Sequence, residues 1–275
     1  MSLVVNTNVG ALDAYRNLSK NQMAQQDAMS KLSSGLRINK AADDAAGLSI
    51  SQGLTSQING LTVAARNAQD GINVAQIADS ALGTTQQVLQ RMRDLAVQAN
   101  NSGTNDTNSL SAIKAEMDQL SSTVDNIANG TKFGQTNLLD GTYTAKTFQV
   151  GSGTGATDTL SLSLTSATAT TLGVNGLDVT ASGGASTALA AIDTAIQTVS
   201  SSRAGIGAFQ NTLNYTISNI QSTIQNVSAS RSNITDADLA QEVTKMTQSQ
   251  ILASAATSVL AQANSAPQAV LKLLQ

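Results

Sequence analysis

The chain has 275 residues, enough for one or two domains and a sizeable core, yet only 2% of them are aromatic and 12% charged. With no Cys and no His it lacks thiolate nucleophiles, disulfides, His-assisted serine chemistry and the usual zinc and non-haem iron sites, so neither an enzymatic activity nor a cofactor is expected. A net charge of −3 with scattered Lys and Arg leaves no footprint for nucleic acid, and no window approaches the ~18 consecutive apolar residues of a membrane span. The start, Met1-Ser2-Leu3-Val4-Val5-Asn6, has neither the basic flank nor the long apolar region of a cleaved secretory signal, which by ordinary rules predicts a cytoplasmic protein.

The first forty residues give a weak heptad through Ala11, Tyr15, Leu18, Gln22, Gln25, Met29 and Leu32, a helix that is marginal by itself. Ser33-Ser34-Gly35-Leu36 breaks it, and Asp43-Asp44 place negative charge where a second helix begins. That helix keeps four-three spacing through Leu54, Ile58, Leu61, Ala65, Ala68, Ile72 and Ala75, then Leu82, Leu89, Met92, Ala96 and Ala99. Its glycines at 47, 53, 60, 71 and 83 each cost about 1 kcal/mol against Ala, which predicts close packing against neighbours.

An Asn-rich turn leads to a third helix through Leu110, Ile113, Met117, Leu120, Val124 and Ile127, with Asn129-Gly130 as its expected C-cap. From 131 to about 185 the pattern changes. Asp140-Gly141, Gly151 to Gly155 and Asn175-Gly176 punctuate the run Thr142 to Val150 and the alternating Leu160, Leu162 and Leu164, which predicts short β-hairpins.

The strongest seam follows: Leu189, Ile192, Ile196, Val199, Ile206, Leu213, Ile217, Ile220, Ile224, Val227 and Ile234, interrupted by Arg203, Gln210 and Arg231. Its spacing predicts a rod of roughly 70 Å laid along other helices. Thr235-Asp236-Ala237-Asp238 is expected to cap a last helix. That helix carries a terminal seam of Leu252, Ala256, Val259, Ala263, Ala266, Val270 and Leu273, crossed by Pro267, which should kink or restart it.

The fold class is therefore mainly α, a long antiparallel helical bundle or coiled coil with a small central β-hairpin region. A terminal two-helix coiled coil is formed by both chain ends. The expected domains are 1–42 with 235–275, and 43–234 carrying the β-rich segment at about 131–185.

Gly151-Ser152-Gly153-Thr154-Gly155 lacks the Lys-Ser/Thr and the following helix of a phosphate loop and is read as a turn. Asp43 with Asp44, and Asp236 with Asp238, stand at helix starts, where capping explains them better than catalysis. Gln90-Arg91-Met92-Arg93-Asp94-Leu95 puts two Arg on a sparsely charged helix, for which spacing alone predicts a solvated, ion-paired face.

The chain resembles the bacterial flagellins at both ends. The resemblance lies in Val5-Asn6-Thr7-Asn8, Leu32 to Asn39, Asp43 to Leu48 and Ala65 to Ile72, and in Ser249-Gln250-Ile251-Leu252, Ser258 to Asn264 and Pro267-Gln268. It covers roughly 3–140 and 188–274 and implies a short form without outer variable domains. Such a subunit polymerises with itself into the flagellar filament for swimming motility, and the filament lies outside the cell. The implied partners are an export chaperone and the flagellar export apparatus, which passes unfolded chains without a cleaved signal, and the filament cap and hook–filament junction proteins.

The resemblance further implies that the terminal helices form an inner tube through Leu18, Met29, Leu32, Leu252, Ala256, Val259, Ala263, Val270 and Leu273. The Toll-like receptor for flagellin would meet Gln90, Arg91, Arg93, Leu95 and Glu116, on a face also used in assembly; Asp94 stands where the family more often has Glu. A hook–filament junction protein and a secreted helical adhesin are the alternatives.

Overall fold

The computed structural model describes residues 7–273, with side chains described from 7 to 265. Five helices and two small hairpins follow one another in this order: α1 (Val9–Ser34), α2 (Ala45–Ala99), α3 (Thr107–Gly130), β1 (Lys132–Phe133), β2 (Thr136–Asn137), β3 (Lys146–Gln149), β4 (Thr159–Leu162), α4 (Gly184–Thr235) and α5 (Leu239–Leu273). The chain divides into two compact units, and the division falls inside the long helices, at Ser56/Gln57 in α2 and Gln225/Asn226 in α4.

The first unit joins the two ends of the chain. Asn8 starts α1 by accepting the Ala11 N–H on Oδ1 at 3.0 Å, and its Nδ2 donates to the Ala263 carbonyl at 2.8 Å. Gly35 ends α1 with φ 71, its N–H returning to the Lys31 carbonyl at 2.9 Å. Immediately beyond, Leu36 forms an antiparallel bridge to Asp236, the Arg37 N–H reaches the Thr235 carbonyl at 2.7 Å, and the Ala237 N–H reaches the Gly35 carbonyl at 3.0 Å. Asn8 and this bridge mark the two ends of an antiparallel α1·α5 pair.

Each new helix in this unit has its own acidic cap. Asp44 accepts the Gly47 N–H at 2.8 Å at the start of α2, and Asp238 accepts the Ala240 and Gln241 N–H groups at 3.0 and 3.2 Å at the start of α5. The cap of α5 is thus Asp238, not Thr235; Thr235 is the last residue of α4, and its hydroxyl turns back to the Arg231 carbonyl at 3.0 Å. α5 runs through Pro267 without a restart.

The second unit is built from the aliphatic seams. Leu89, Met92 and Leu95 of α2, Met117 and Val124 of α3, and Ile192 and Val199 of α4 are fully buried in one cluster with Leu138 and Leu139. Each such side chain contributes about 1.5–3 kcal/mol relative to leaving it in water. α2 stays unbroken because some of its glycines are contact points: a methyl group on Gly60 would stand 2.9 Å from Ser152 Cβ. Gly53 and Gly83 have no such close neighbour, so crowding does not account for them.

Asp106 caps α3 by accepting the Ser109 N–H at 2.7 Å. The helix continues through Gly130 to an extended C-cap at Thr131, whose hydroxyl bonds the Ile127 carbonyl at 2.6 Å, so Asn129-Gly130 is not the cap. β1 pairs with β2, and β3 with β4, both antiparallel. Beyond β4 the expected hairpin around Asn175-Gly176 is absent among the described residues. The segment instead bonds locally, Val174 N–H to the Ala169 carbonyl at 2.9 Å, and buries Leu164, Ala167, Ala169, Leu172, Val174 and Val179 as a strap over the core. The alternating Leu160 and Leu162 belong to β4 and its pairing with β3, whereas the apolar residues beyond them are buried by contact with helices.

Candidate functional site

The terminal helices pack through small and polar residues. On α1 the positions turned toward the pair are Ala11, Ala14, Leu18, Asn21, Gln25, Ala28 and Leu32, and on α5 they are Glu242, Met246, Ser249, Ala253, Ala256, Leu260 and Ala263. Both series step by three and four, as antiparallel heptads require. Leu18, Leu32, Ala256 and Ala263 fall on this seam. Met29 and Tyr15, 52% and 62% exposed, lie off it, as do Leu252 and Val259, 45% and 55% exposed.

The sequence pattern favours the larger side chain at each step, whereas Ala14, Ala28, Ala253 and Ala256 let the two backbones approach closely. Val270 and Leu273 lie outside the described side chains. Uncovered on α1 are Val9, Leu12, Tyr15, Met23 and Met29, and on α5 Leu239, Val243, Ile251, Leu252 and Val259. Together they form an unusual load of exposed apolar surface.

The second surface lies on α2 and α3. Arg91 donates from Nε and Nη2 to Oε1 of Glu116, at 2.9 and 2.7 Å, tying α2 to α3. Arg93 donates to Asp193 of α4 at 2.7 Å, and Asp193 thereby holds the guanidinium firmly protonated. Gln90 is exposed beside them.

Leu95 does not belong to this surface. It is 2% exposed and packed in the core cluster, because it stands three after the buried Met92 and four before the buried Ala99, on the inward stripe of α2. The ion pairs run between helices rather than along one face, so their acidic partners are not readable from local spacing. Arg203 interrupts the α4 seam, and its spacing alone names no partner for it. It reaches across to α2, donating to Asp79 at 2.8 Å and to Gln86 at 2.9 Å.

The description of the bacterial flagellin N-terminal helical region matches residues 5–144, and that of the C-terminal helical region matches residues 189–274. The chain belongs to the bacterial flagellins. A flagellin of Bacillus subtilis is 43% identical over 98% of this chain and 99% of its own length. A flagellin of Halalkalibacterium halodurans is 42% identical over 99% of this chain and 100% of its own. Among solved structures, one described as a flagellar hook-associated protein from Vibrio parahaemolyticus aligns with a TM-score of 0.58 at 15% identity, covering 70% of this chain and 100% of that one, a likeness of fold alone.

As a flagellin the chain is a structural subunit of the extracellular flagellar filament and not an enzyme. Matches to flagellins along its whole length do not favour the junction-protein or adhesin alternatives. No helix among the described residues is long and apolar enough to cross a membrane, and no group of three or more His, Cys, Asp or Glu among them is placed to hold a metal.

The acidic pairs of this flagellin are occupied in local structure. Asp43 accepts the Asn39 and Lys40 N–H groups, both at 2.9 Å, which holds its carboxyl below the ordinary range. Asp236 accepts from the Ser232 and Thr235 hydroxyls, with the same consequence. The Gly151–Gly155 loop joins β3 to β4 and wraps Asp158, whose carboxylate accepts the Gly155 N–H at 3.0 Å. A groove of about 740 Å³ between α4 and β4 presents hydroxyls such as Ser161, Ser163, Thr198 and Ser201, with no titratable side chain in its lining.

Proposed function

We propose that this flagellin enters the filament through the apolar stripes that α1 and α5 leave uncovered. In this reading residues 1–42 and 235–275 line the inner tube and residues 43–234 form the outer tube. The observation that carries it is the contrast within the terminal pair: small and polar residues such as Ala14, Asn21, Gln25, Ala28, Glu242 and Ser249 take up much of the inner seam while Tyr15, Met29, Leu252 and Val259 face outward. A helix pair with so diluted an apolar seam gains little by itself and gains most when a neighbouring subunit covers the outward apolar side chains, which couples its stability to polymerisation.

The same stripes are what an export chaperone has to cover before secretion, and what the filament cap and the hook–filament junction proteins meet at the two ends of the polymer. Weak terminal pairing also suits passage of the unfolded chain through the export apparatus. The Gln90, Arg91, Arg93 and Glu116 surface is the face offered to the Toll-like receptor for flagellin, with Leu95 supporting it from beneath.

Val259→Asp tests the assembly reading. A carboxylate at a subunit interface has no partner, so seeded reassembly viewed by electron microscopy is expected to yield no filaments, while the 57–225 unit melts as in the wild type. Long filaments from this variant would exclude the α5 stripe from the interface.

A further inference from the structure

α5 carries two seams of similar apolar content. The one against α1 adds Met246, Ala253 and Leu260 to Ser249, Ala256 and Ala263; the uncovered one adds Leu252 and Val259 to the same three. A turn of α5 about its axis by ~50°, half the rotation per residue, exchanges them. Apolar burial therefore does not choose between the two facings, since Met246 with Leu260 and Leu252 with Val259 offer comparable side chains.

The difference lies in charge at the start of α5. In the observed facing Glu242, 6% exposed, enters the cleft between the helices, which Asp27, Ala28 and Lys31 of α1 also line. Its carboxylate accepts from Lys245 Nζ at 2.6 Å, and Lys31 pairs with Asp27 at 2.9 Å. Lys245 lines the same cleft, and the alternative seam, which steps back from Leu252 through Ser249 to Lys245, turns Glu242 away and leaves Asp27 as the one carboxylate there beside Lys31 and Lys245. Two ammonium groups in a partly buried cleft are better compensated by two carboxylates than by one.

We propose that Glu242 selects which face of α5 lies on α1, and thereby leaves Leu252 and Val259 for neighbouring subunits. The second half rests on the assembly reading above; the first stands on the geometry of the terminal pair.

The chain has no native Cys, so engineered pairs report the facing cleanly. By the register set at Asn8–Ala263 and Leu36–Asp236, Ala14→Cys with Leu260→Cys reads the observed facing, and Ala14→Cys with Val259→Cys reads the alternative. Intrachain disulfide yield is measured for both pairs, in reassembled filaments and in the soluble chain. The wild-type background should favour the 14–260 link. Glu242→Gln should lower the ratio of the 14–260 to the 14–259 link by about threefold, the scale of a partly exposed charge pair, and Glu242→Lys should lower it further. Glu242→Asp, which keeps the charge, should restore the ratio. An unchanged ratio in Glu242→Lys would overturn the proposal. A shifted ratio with filaments of wild-type form would instead sink the assembly reading and leave the facing role standing.

Discussion

Gly71 of α2 lies directly against Leu213 of α4: a methyl group at Gly71 would stand 3.0 Å from Leu213 Cδ1 and 3.3 Å from Phe148 Cδ1. Phe148 packs in turn against Phe209, the two rings tilted by 49° with centroids 5.9 Å apart, so three elements meet at one glycine. Gly71→Ala gains about 1 kcal/mol of helix propensity and loses a similar amount to crowding, and is expected to be near neutral. Gly71→Val adds two further methyl groups to a filled site and is expected to cost about 1–3 kcal/mol, read as a lower urea midpoint with an unchanged slope. A neutral Gly71→Val would mean that α2 and α4 do not approach as described.

Arg203 sits where the α4 seam would otherwise have an aliphatic residue and makes cross-helix bonds to Asp79 and Gln86. The side chains of Arg203 and Asp79 are 37% and 38% exposed, so solvent screening limits the pair to about 0.2–1 kcal/mol. A double-mutant cycle of Arg203→Ala and Asp79→Ala should return a coupling in that range, falling with added salt. A coupling of zero at low salt would reduce the contact to a surface coincidence.

The long seams were legible because Leu89, Ile192, Val199 and Leu213 are large, aliphatic and regularly spaced, and all are buried. The terminal pair was legible as a pair but not in phase. At Ala14/Tyr15 and Ala28/Met29 the heptad admits either residue, and backbone approach, which no single residue encodes, decides for alanine. The α2 surface was readable as far as its charges. Which groups answer Arg93 and Arg203 was not, since Asp193 and Asp79 become neighbours only when α2 and α4 lie side by side. Leu95 was misplaced for the opposite reason: reading a contiguous motif as one surface ignores the turn of the helix.

Acid should weaken the fold through its capping carboxylates. Hydrogen bonds from the Ser109 hydroxyl and N–H hold Asp106 below its ordinary value of 3.8, and Thr142 and Thr180 do the same for Asp140 and Asp178. Because these values are depressed in the folded chain, the unfolded chain binds more protons at low pH. The stabilisation is complete above the ordinary value and is lost as pH falls through the depressed ones. The denaturant midpoint should hold steady from neutrality to about pH 5 and fall below about pH 4. Asp106→Asn keeps a capping oxygen but does not titrate, so it should make the acid slope shallower with little change at neutral pH; a slope equal to wild type would remove Asp106 from the acid response.

Arg91 and Glu116 offer a way to separate recognition from stability. Their side chains are 55% and 44% exposed, so breaking the pair costs about 0.2–1 kcal/mol, and Arg91→Ala should melt within a few degrees of wild type. In a reporter-cell assay for the Toll-like receptor for flagellin the same variant should lose response, because it removes a planar cation from the centre of the proposed contact. Arg91→Lys should fall between, since an ammonium cannot reproduce the two-pronged contact with Glu116. Leu95→Ala is expected to behave differently. It opens a cavity in the core at a cost of about 2–5 kcal/mol, so any loss of response should track its lower melting temperature and recover on cooling. A wild-type response from folded Arg91→Ala would take the receptor role away from this surface, and a lost response from fully folded Leu95→Ala would mean that the receptor reaches beneath it.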